Sequence, residues 1–327
     1  MLSIFRNNSP YTVIILLICT MILKLQPLFH PQAPVLIDGY YFYNNILHIL
    51  DFVLRGNAFA YTLLTVILTF AQALYFKAIT TRHKLYPRAT YIPALTYLLL
   101  TSIFPWFNYF SCALLINWCL LGGMDIILSF SQTHHPRKQL FNAGFIFCLV
   151  ALLQFSAIGY VLVFFVGLAL LRAFNPSEWV VAAMGYFTPV YFAAGILFLI
   201  DKLPLLTQWP HLSISLSRHL SPGFYFVVAI AGLIILFTCG IYAMQSQIAK
   251  NSVYGRRIWS VITIYLLMSL LVALFTDQSV KSAWLVIIPA SGLIITHGLS
   301  LEKSKRFSNF TFYFFLIFVL ACQLAIK

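Results

Sequence analysis

Residues Gly223–Met244 read GFYFVVAIAGLIILFTCGIYAM, an unbroken run with no charged side chain. Coiled as an α-helix, a run of that length reaches about 33 Å, enough to cross a bilayer core of about 30 Å. The rest of the chain is of the same character. Of its 327 residues 61% are hydrophobic and 8% are charged, and the mean hydropathy is +0.92. A water-facing surface needs roughly 25% charged residues, so soluble, disordered and disulfide-scaffold folds are excluded.

Outward from that run, similar ones recur. On its N-terminal side they are Tyr11–Phe29, Ala58–Phe76, Tyr91–Phe104, Tyr109–Phe130, Phe141–Ala157, Tyr160–Leu171 and Trp179–Ile200. On its C-terminal side they are Ile258–Thr276, Ala283–His297 and Phe307–Ile326, which makes eleven in all. Open sheet edges cannot face lipid, and the runs lack the apolar–polar alternation of a membrane β-barrel, so helices remain. The expectation is an all-α polytopic membrane protein of about 11 transmembrane helices, forming a single integral membrane domain over residues 1–327. Residues 1–30 read as an uncleaved first span, because no small-residue cleavage site follows Leu23.

Basic residues orient such a chain, because Lys and Arg near span ends are retained in the cytoplasm. With the N-terminus inside, fourteen of the 20 Lys and Arg fall on inner connections and six on outer ones. The net charge of +13 is therefore mainly an orientation signal, and a nucleic-acid partner is not needed to explain it. This reading places the C-terminus in the periplasm. Trp106, Trp209 and Trp284 fall at outer span ends, and Trp179 and Trp259 at inner ones. The six cysteines all lie within spans with no Cys-x-x-Cys pair, which suggests packing rather than disulfide or zinc chemistry.

Chemistry-bearing residues are few. Asp125, in Leu120-Leu-Gly-Gly-Met-Asp125, is the one acid inside a span. It reads as a snorkelling or paired carboxylate near the inner interface, with Gly122 and Gly123 allowing close helix approach. Four of the seven acids, Asp38, Asp51, Asp201 and Asp277, map to the outer face. The loop of about 30–57 carries Asn44, His48, Asp51 and Arg55 at spacings of 4, 3 and 4, with Tyr43, Leu47, Leu50 and Leu54 on a second stripe. That is an amphipathic helix in the outer interface, with Asp51 and Arg55 as i,i+4 partners. His48, Asp51 and Arg55, together with Asp201, His211 and His219 of the second outer loop (about 201–222), are the candidate substrate-binding residues. Asp38 precedes the helix in Val35-Leu-Ile-Asp-Gly-Tyr-Tyr41. It reads either as a cap that accepts the orphan N–H groups of the helix or as a general base near a lipid-borne head group.

Two resemblances bear on function. One span, a long outer loop with Ile37-Asp-Gly-Tyr-Tyr41, an interfacial helix and then short paired spans resemble membrane glycosyltransferases of the GT-C class. The likeness runs through Tyr91-Ile-Pro-Ala-Leu-Thr-Tyr97 and the hairpin Phe141–Phe174. It implies a polyprenyl-linked sugar or envelope precursor as substrate and makes Asp38 the candidate catalytic base. Here Gly39, not a second acid, follows Asp38. The whole chain more closely resembles an uncharacterised family of bacterial polytopic inner-membrane proteins. That likeness lies in Arg6-Asn-Asn-Ser-Pro10, Phe141-Asn142-Ala143 and Gly185-Tyr-Phe-Thr-Pro189, and it implies an inner-membrane location without an activity.

Three functions follow as alternatives: an assembly or scaffold partner of other envelope proteins, a GT-C-like transferase, or a transporter with a midplane site. Membrane lipids are the expected surroundings in each. No cofactor or metal is expected, since the eight histidines divide between the two faces instead of meeting at one depth.

Overall fold

The structure, a computed structural model, describes residues 2–6, 8–131, 136–209, 224–248, 252–276, 280–300 and 305–325. Every regular element among them is helical. The first half contains α1 (Leu2–Arg6), α2 (Tyr11–Leu23), α3 (Leu25–Phe29), α4 (Tyr41–Leu54), α5 (Ala58–Arg82), α6 (Ile92–Leu100), α7 (Cys112–Ser129) and α8 (Pro136–Leu153). The second contains α9 (Tyr160–Leu171), α10 (Pro176–Leu199), α11 (Pro204–Gln208), α12 (Phe224–Ile248), α13 (Val253–Leu274), α14 (Ile288–Ser300) and α15 (Lys305–Ala325). Short 3-10 turns occupy Pro105–Asn108, Phe155–Gly159 and Lys281–Ile287.

Local chemistry sets the starts of several helices. Asn57, Asn175 and Ser252 cap α5, α10 and α13, each side chain accepting a first-turn N–H, from Phe59 (3.0 Å), Ser177 (3.2 Å) and Gly255 (3.2 Å). These caps satisfy donors that a helix start leaves open. Pro176 opens α10 at a position where its missing N–H costs nothing.

Seven helical segments are long and apolar enough to cross a membrane: Ala58–Arg82, Cys112–Ser129, Pro176–Leu199, Tyr225–Gln245, Val253–Leu274, Lys281–Ser300 and Arg306–Ala325. That is fewer than the eleven expected. The remaining four runs are helical but fall short. The first breaks at Lys24 into α2 and α3, α6 has 9 residues, α9 has 12, and the 18-residue α8 begins with Arg137 and Lys138. Apolar composition alone does not register these breaks, which fall close to Pro27, Pro105 and Gly159.

Helix α6 survives at this length because protein surrounds it. All nine of its residues are buried. Beyond its end, the carbonyl of Thr101 accepts from Lys24 Nζ at 2.8 Å and that of Ser102 from Gln323 Nε2 at 3.0 Å. Irregular backbone at membrane depth is tolerable only when its polar groups are satisfied by protein in this way. The outer flanks are apolar instead: Met184, Phe187 and Tyr191 of α10, Val227 and Ile234 of α12, and Phe310 and Ile317 of α15 are all exposed.

The side-chain contacts sort the helix ends into two sets. At one end Arg82 and His83 reach Asp125, Arg172 donates to Phe130 O (2.6 Å), Tyr254 to Leu128 O (2.7 Å) and Arg6 to Ser308 Oγ (2.8 Å). At the other, Tyr109 donates to His30 O (3.4 Å), Gln154 and Ser156 meet Thr276, and Gln323 donates to Leu23 O (2.9 Å). We refer to these as the basic end and the opposite end.

Close helix crossings hold the bundle together. A Cβ on Gly185 of α10 would lie 2.4 Å from Phe141 O of α8, and one on Gly144 would lie 2.6 Å from Ala182 O. Gly240 of α12 approaches Ile294 O of α14 in the same way, at 2.5 Å. Small residues at such points bring backbones together and gain the dispersion contacts that drive association in lipid.

Candidate functional site

Four of the residues singled out at the opposite end cluster on and before α4. The chain turns at Ile37–Tyr40, where the Tyr40 N–H donates to Ile37 O (3.2 Å) and Gly39 adopts φ 83°, a conformation that suits glycine. Asn44 then clamps the turn, accepting from Ile37 N (3.1 Å) and donating to Ile37 O (2.8 Å). The N-terminal cap of α4 falls on Tyr40, and no side chain fills it. The cap expected of Asp38 is therefore absent, because the helix begins two residues too late for that carboxylate to take the cap position. Asp38 is exposed, and among the described residues it makes no hydrogen bond or ion pair.

The expected Asp51–Arg55 pair does not form either. Arg55 ends α4 in the left-handed region at φ 52° and so leaves the stripe that i,i+4 spacing assumes. The Asp51 carboxylate accepts instead from the Tyr61 hydroxyl of α5. His48 and Arg55 are exposed. Asp201 follows α10 at φ 56°, also exposed, and no hydrogen bond or ion pair among the described residues joins it to the α4 group. His211, His219 and Asp277 lie outside the described residues.

Helix α4 itself has three faces. At roughly 100° per residue, Tyr43, Leu47, Leu50 and Leu54 share one face, and all four are buried or half-buried against the bundle. Asn44, His48 and Asp51 share a second face. Ile49, Phe52 and Val53 share a third and are exposed, Phe52 at 89%. A helix with protein, polar and apolar sides suits the place where protein, water and lipid meet.

One buried residue has a role that sequence reading missed. Lys24, counted only as a topology signal, is fully buried at the break between α2 and α3. Its ammonium donates to Thr101 O (2.8 Å) and to the side-chain carbonyl of Asn108, and no carboxylate among the described residues pairs with it. Lys24 thereby fixes the irregular segment after α6 to the break between α2 and α3. The available signal was a lysine between Leu23 and Leu25 in an apolar run, three residues before Pro27.

At the basic end, Asp125 is buried and accepts from three donors: Arg82, His83 Nε2 at 2.8 Å and the Tyr75 hydroxyl at 3.1 Å. The Tyr75 ring stacks on Trp118 of α7 at a centroid distance of 6.1 Å. Gly123 packs on Phe147, while Gly122 is not crowded. With three donors engaged, the carboxylate joins α5 to α7 and has little capacity left for an ion.

Among the described residues no group of three or more His, Cys, Asp or Glu is placed to hold a metal. No protein-family model, curated protein or solved structure matches the chain. Function must therefore be argued from the arrangement of residues alone. Within it, the Phe141 and Gly185 motifs, far apart in sequence, form one helix crossing.

Proposed function

We propose that the chain is a multi-pass protein of the bacterial inner membrane, its N-terminus cytoplasmic and its C-terminus periplasmic, that acts at its opposite end on a lipid-linked substrate. In this reading the basic end faces the cytoplasm, where Lys and Arg are retained and anionic lipid lies close. The α4 end then faces the periplasm.

One observation supports this reading most directly: among the described residues the carboxylate of Asp38 bonds to nothing. Gly39 and Asn44 make the turn, and the acid is left exposed, unpaired among the described residues, before a helix with a polar and an apolar side. A carboxylate at the water–lipid boundary is placed to accept a proton from a hydroxyl presented there. The apolar side of α4, with Ile49, Phe52 and Val53, suits the lipid chain of the same substrate. The reaction proposed is transfer of a sugar or envelope precursor from a polyprenyl-linked donor. Asp38 takes the proton of the acceptor hydroxyl, whose oxygen bonds to the transferred carbon. The bond from that carbon to the donor phosphate breaks, and the phosphate leaves with the electron pair. His48 and Asp51 lie on the polar side of the same helix and are the nearest candidates for binding the head group.

A scaffold role is the competing reading. It is favoured by Asp125, an acid within a span, whose three donors leave it a structural link.

Mass spectrometry of lipid carried by the purified protein tests the substrate class. A polyprenyl phosphate or pyrophosphate species is expected, and bulk phospholipid alone counts against the transferase. Asp38→Asn should retain that lipid and normal membrane levels while losing roughly 100-fold or more in turnover, the usual contribution of a general base. Undiminished complementation of a deletion strain by Asp38→Asn would remove Asp38 from the mechanism.

A further inference from the structure

Two interrupted helices meet at the opposite end of the bundle. The run expected as the first span breaks at Lys24, which closes α2 and opens α3. The run expected as the third stops at Thr101, the C-terminal cap of α6, and resumes as the 3-10 turn Pro105–Asn108. Gln323 of α15 stitches the two breaks together, its amide nitrogen donating to Leu23 O on one (2.9 Å) and to Ser102 O on the other (3.0 Å). From the adjoining residue, the Lys24 ammonium donates to Thr101 O (2.8 Å) and to the side-chain carbonyl of Asn108. Lys24, Thr101, Ser102 and Asn108 are all buried, Lys24 completely.

Both acceptors of the ammonium are neutral oxygens, and no carboxylate among the described residues pairs with it. Thr101 O lies at the end of α6, where the open carbonyls of a helix carry partial negative charge. Asn108 turns its oxygen to Lys24, the choice that a cation imposes on an amide able to present either end. The neighbouring carbonyls of Leu23 and Ser102 are satisfied by the uncharged amide of Gln323, so a neutral donor can serve carbonyls at this crossing. A full charge is nevertheless buried one residue away, at a cost that membrane interiors bear only where the charge has a task. Interrupted helices that meet in this way are where membrane proteins hold cations on backbone carbonyls.

We propose that the meeting point of the two breaks is a binding site for a primary ammonium, formed by Thr101 O and Asn108 Oδ1, and that the chain fills it with its own Lys24. Because the cation is covalently supplied, the crossing needs no dissolved ion to stay closed. The site is independent of the activity proposed for Asp38.

Lys24→Ala removes the atoms that n-propylammonium would replace. In lipid nanodiscs this variant should melt a few degrees below the parent. n-Propylammonium chloride, present from solubilisation through reconstitution, should restore most of that loss and leave the parent unchanged. n-Propyltrimethylammonium, which has the charge without N–H donors, should restore nothing. Lys24→Met keeps the stem without the charge and should melt low with either salt. Asn108→Asp supplies a counter-charge at almost the same volume, so it should raise the melting temperature beside Lys24 and lower it in the Lys24→Met background. These two near-isosteric changes carry the test if Lys24→Ala does not accumulate. Equal melting of the parent, Lys24→Ala and Lys24→Met would mean that the oxygens require no cation and would overturn the site. Restoration by both salts, no restoration by n-propylammonium, or a fall with Asn108→Asp beside Lys24 would overturn it equally.

Discussion

At the scale of single residues, the carboxylates differ in what surrounds them, and that difference separates structural from chemical roles. Asp125 holds together Arg82, His83 and Tyr75, and the His83 side chain is only 1% exposed. Asp125→Ala should cost about 1–3 kcal/mol, the usual penalty for leaving a buried donor unsatisfied. Thermal unfolding in detergent checks this, and an unchanged midpoint would mean that the cluster relaxes onto other partners. Asp38 has no such partners among the described residues, so Asp38→Ala should leave that midpoint in place. Tyrosines outside the spans add a pH dependence. Burial pushes the hydroxyls of Tyr43 and Tyr86 well up, and Tyr86 also donates to Leu293 O at 2.6 Å. A group whose acid form is favoured in the folded state stabilises fully below its unfolded value, about 10 for tyrosine, and that contribution is lost as the pH climbs beyond it. Stability should therefore fall above about pH 10, with tyrosinate absorbance from these two residues appearing only on unfolding. Sequence spacing revealed the polar stripe of α4 but not its partners. Whether Asp51 meets Arg55 or Tyr61 depends on where the helix ends, and a left-handed cap at Arg55 leaves no periodic trace.

At the scale of elements, the helices were readable wherever an apolar run continued without a break. The long runs, such as α5, α10, α12 and α15, follow from composition because a lipid-facing helix must be apolar along its length. The short ones do not, because α6 and α9 depend on neighbours that satisfy their ends, and such help comes from distant residues such as Lys24 and Gln323. The α8–α10 crossing gives a sharp contrast within one helix. Gly185→Ala places a methyl 2.4 Å from Phe141 O and must push the helices apart, at a cost of about 1–3 kcal/mol. Gly195→Ala, also in α10, meets nothing within 4 Å and should gain up to about 1 kcal/mol from helix propensity. Unfolding midpoints of the two variants, measured side by side, should move in opposite directions. Equal shifts would mean that the crossing is looser than the backbone geometry requires.

At the scale of the whole molecule, the chain has two unlike ends. One gathers Arg6, Arg82 and Arg172 with the buried Asp125, and the other carries Asp38 and Asp51 before and on a three-faced helix. The bias of basic residues could be read directly from sequence, since it depends only on the order of apolar runs. The site at the opposite end was legible as a stretch of chain, because Asp38 and the α4 stripe are contiguous, but its distant members were not. Nothing in residue order ties Asp201 to α4, and the structure supplies no link between them. The proposal as a whole rests on the α4 end facing the periplasm, where envelope precursors are assembled. Labelling with a membrane-impermeant maleimide tests this most directly, comparing His48→Cys and Lys138→Cys against the unsubstituted chain. The account predicts that His48→Cys reacts in intact spheroplasts and Lys138→Cys only after lysis, and the reverse pattern would contradict it.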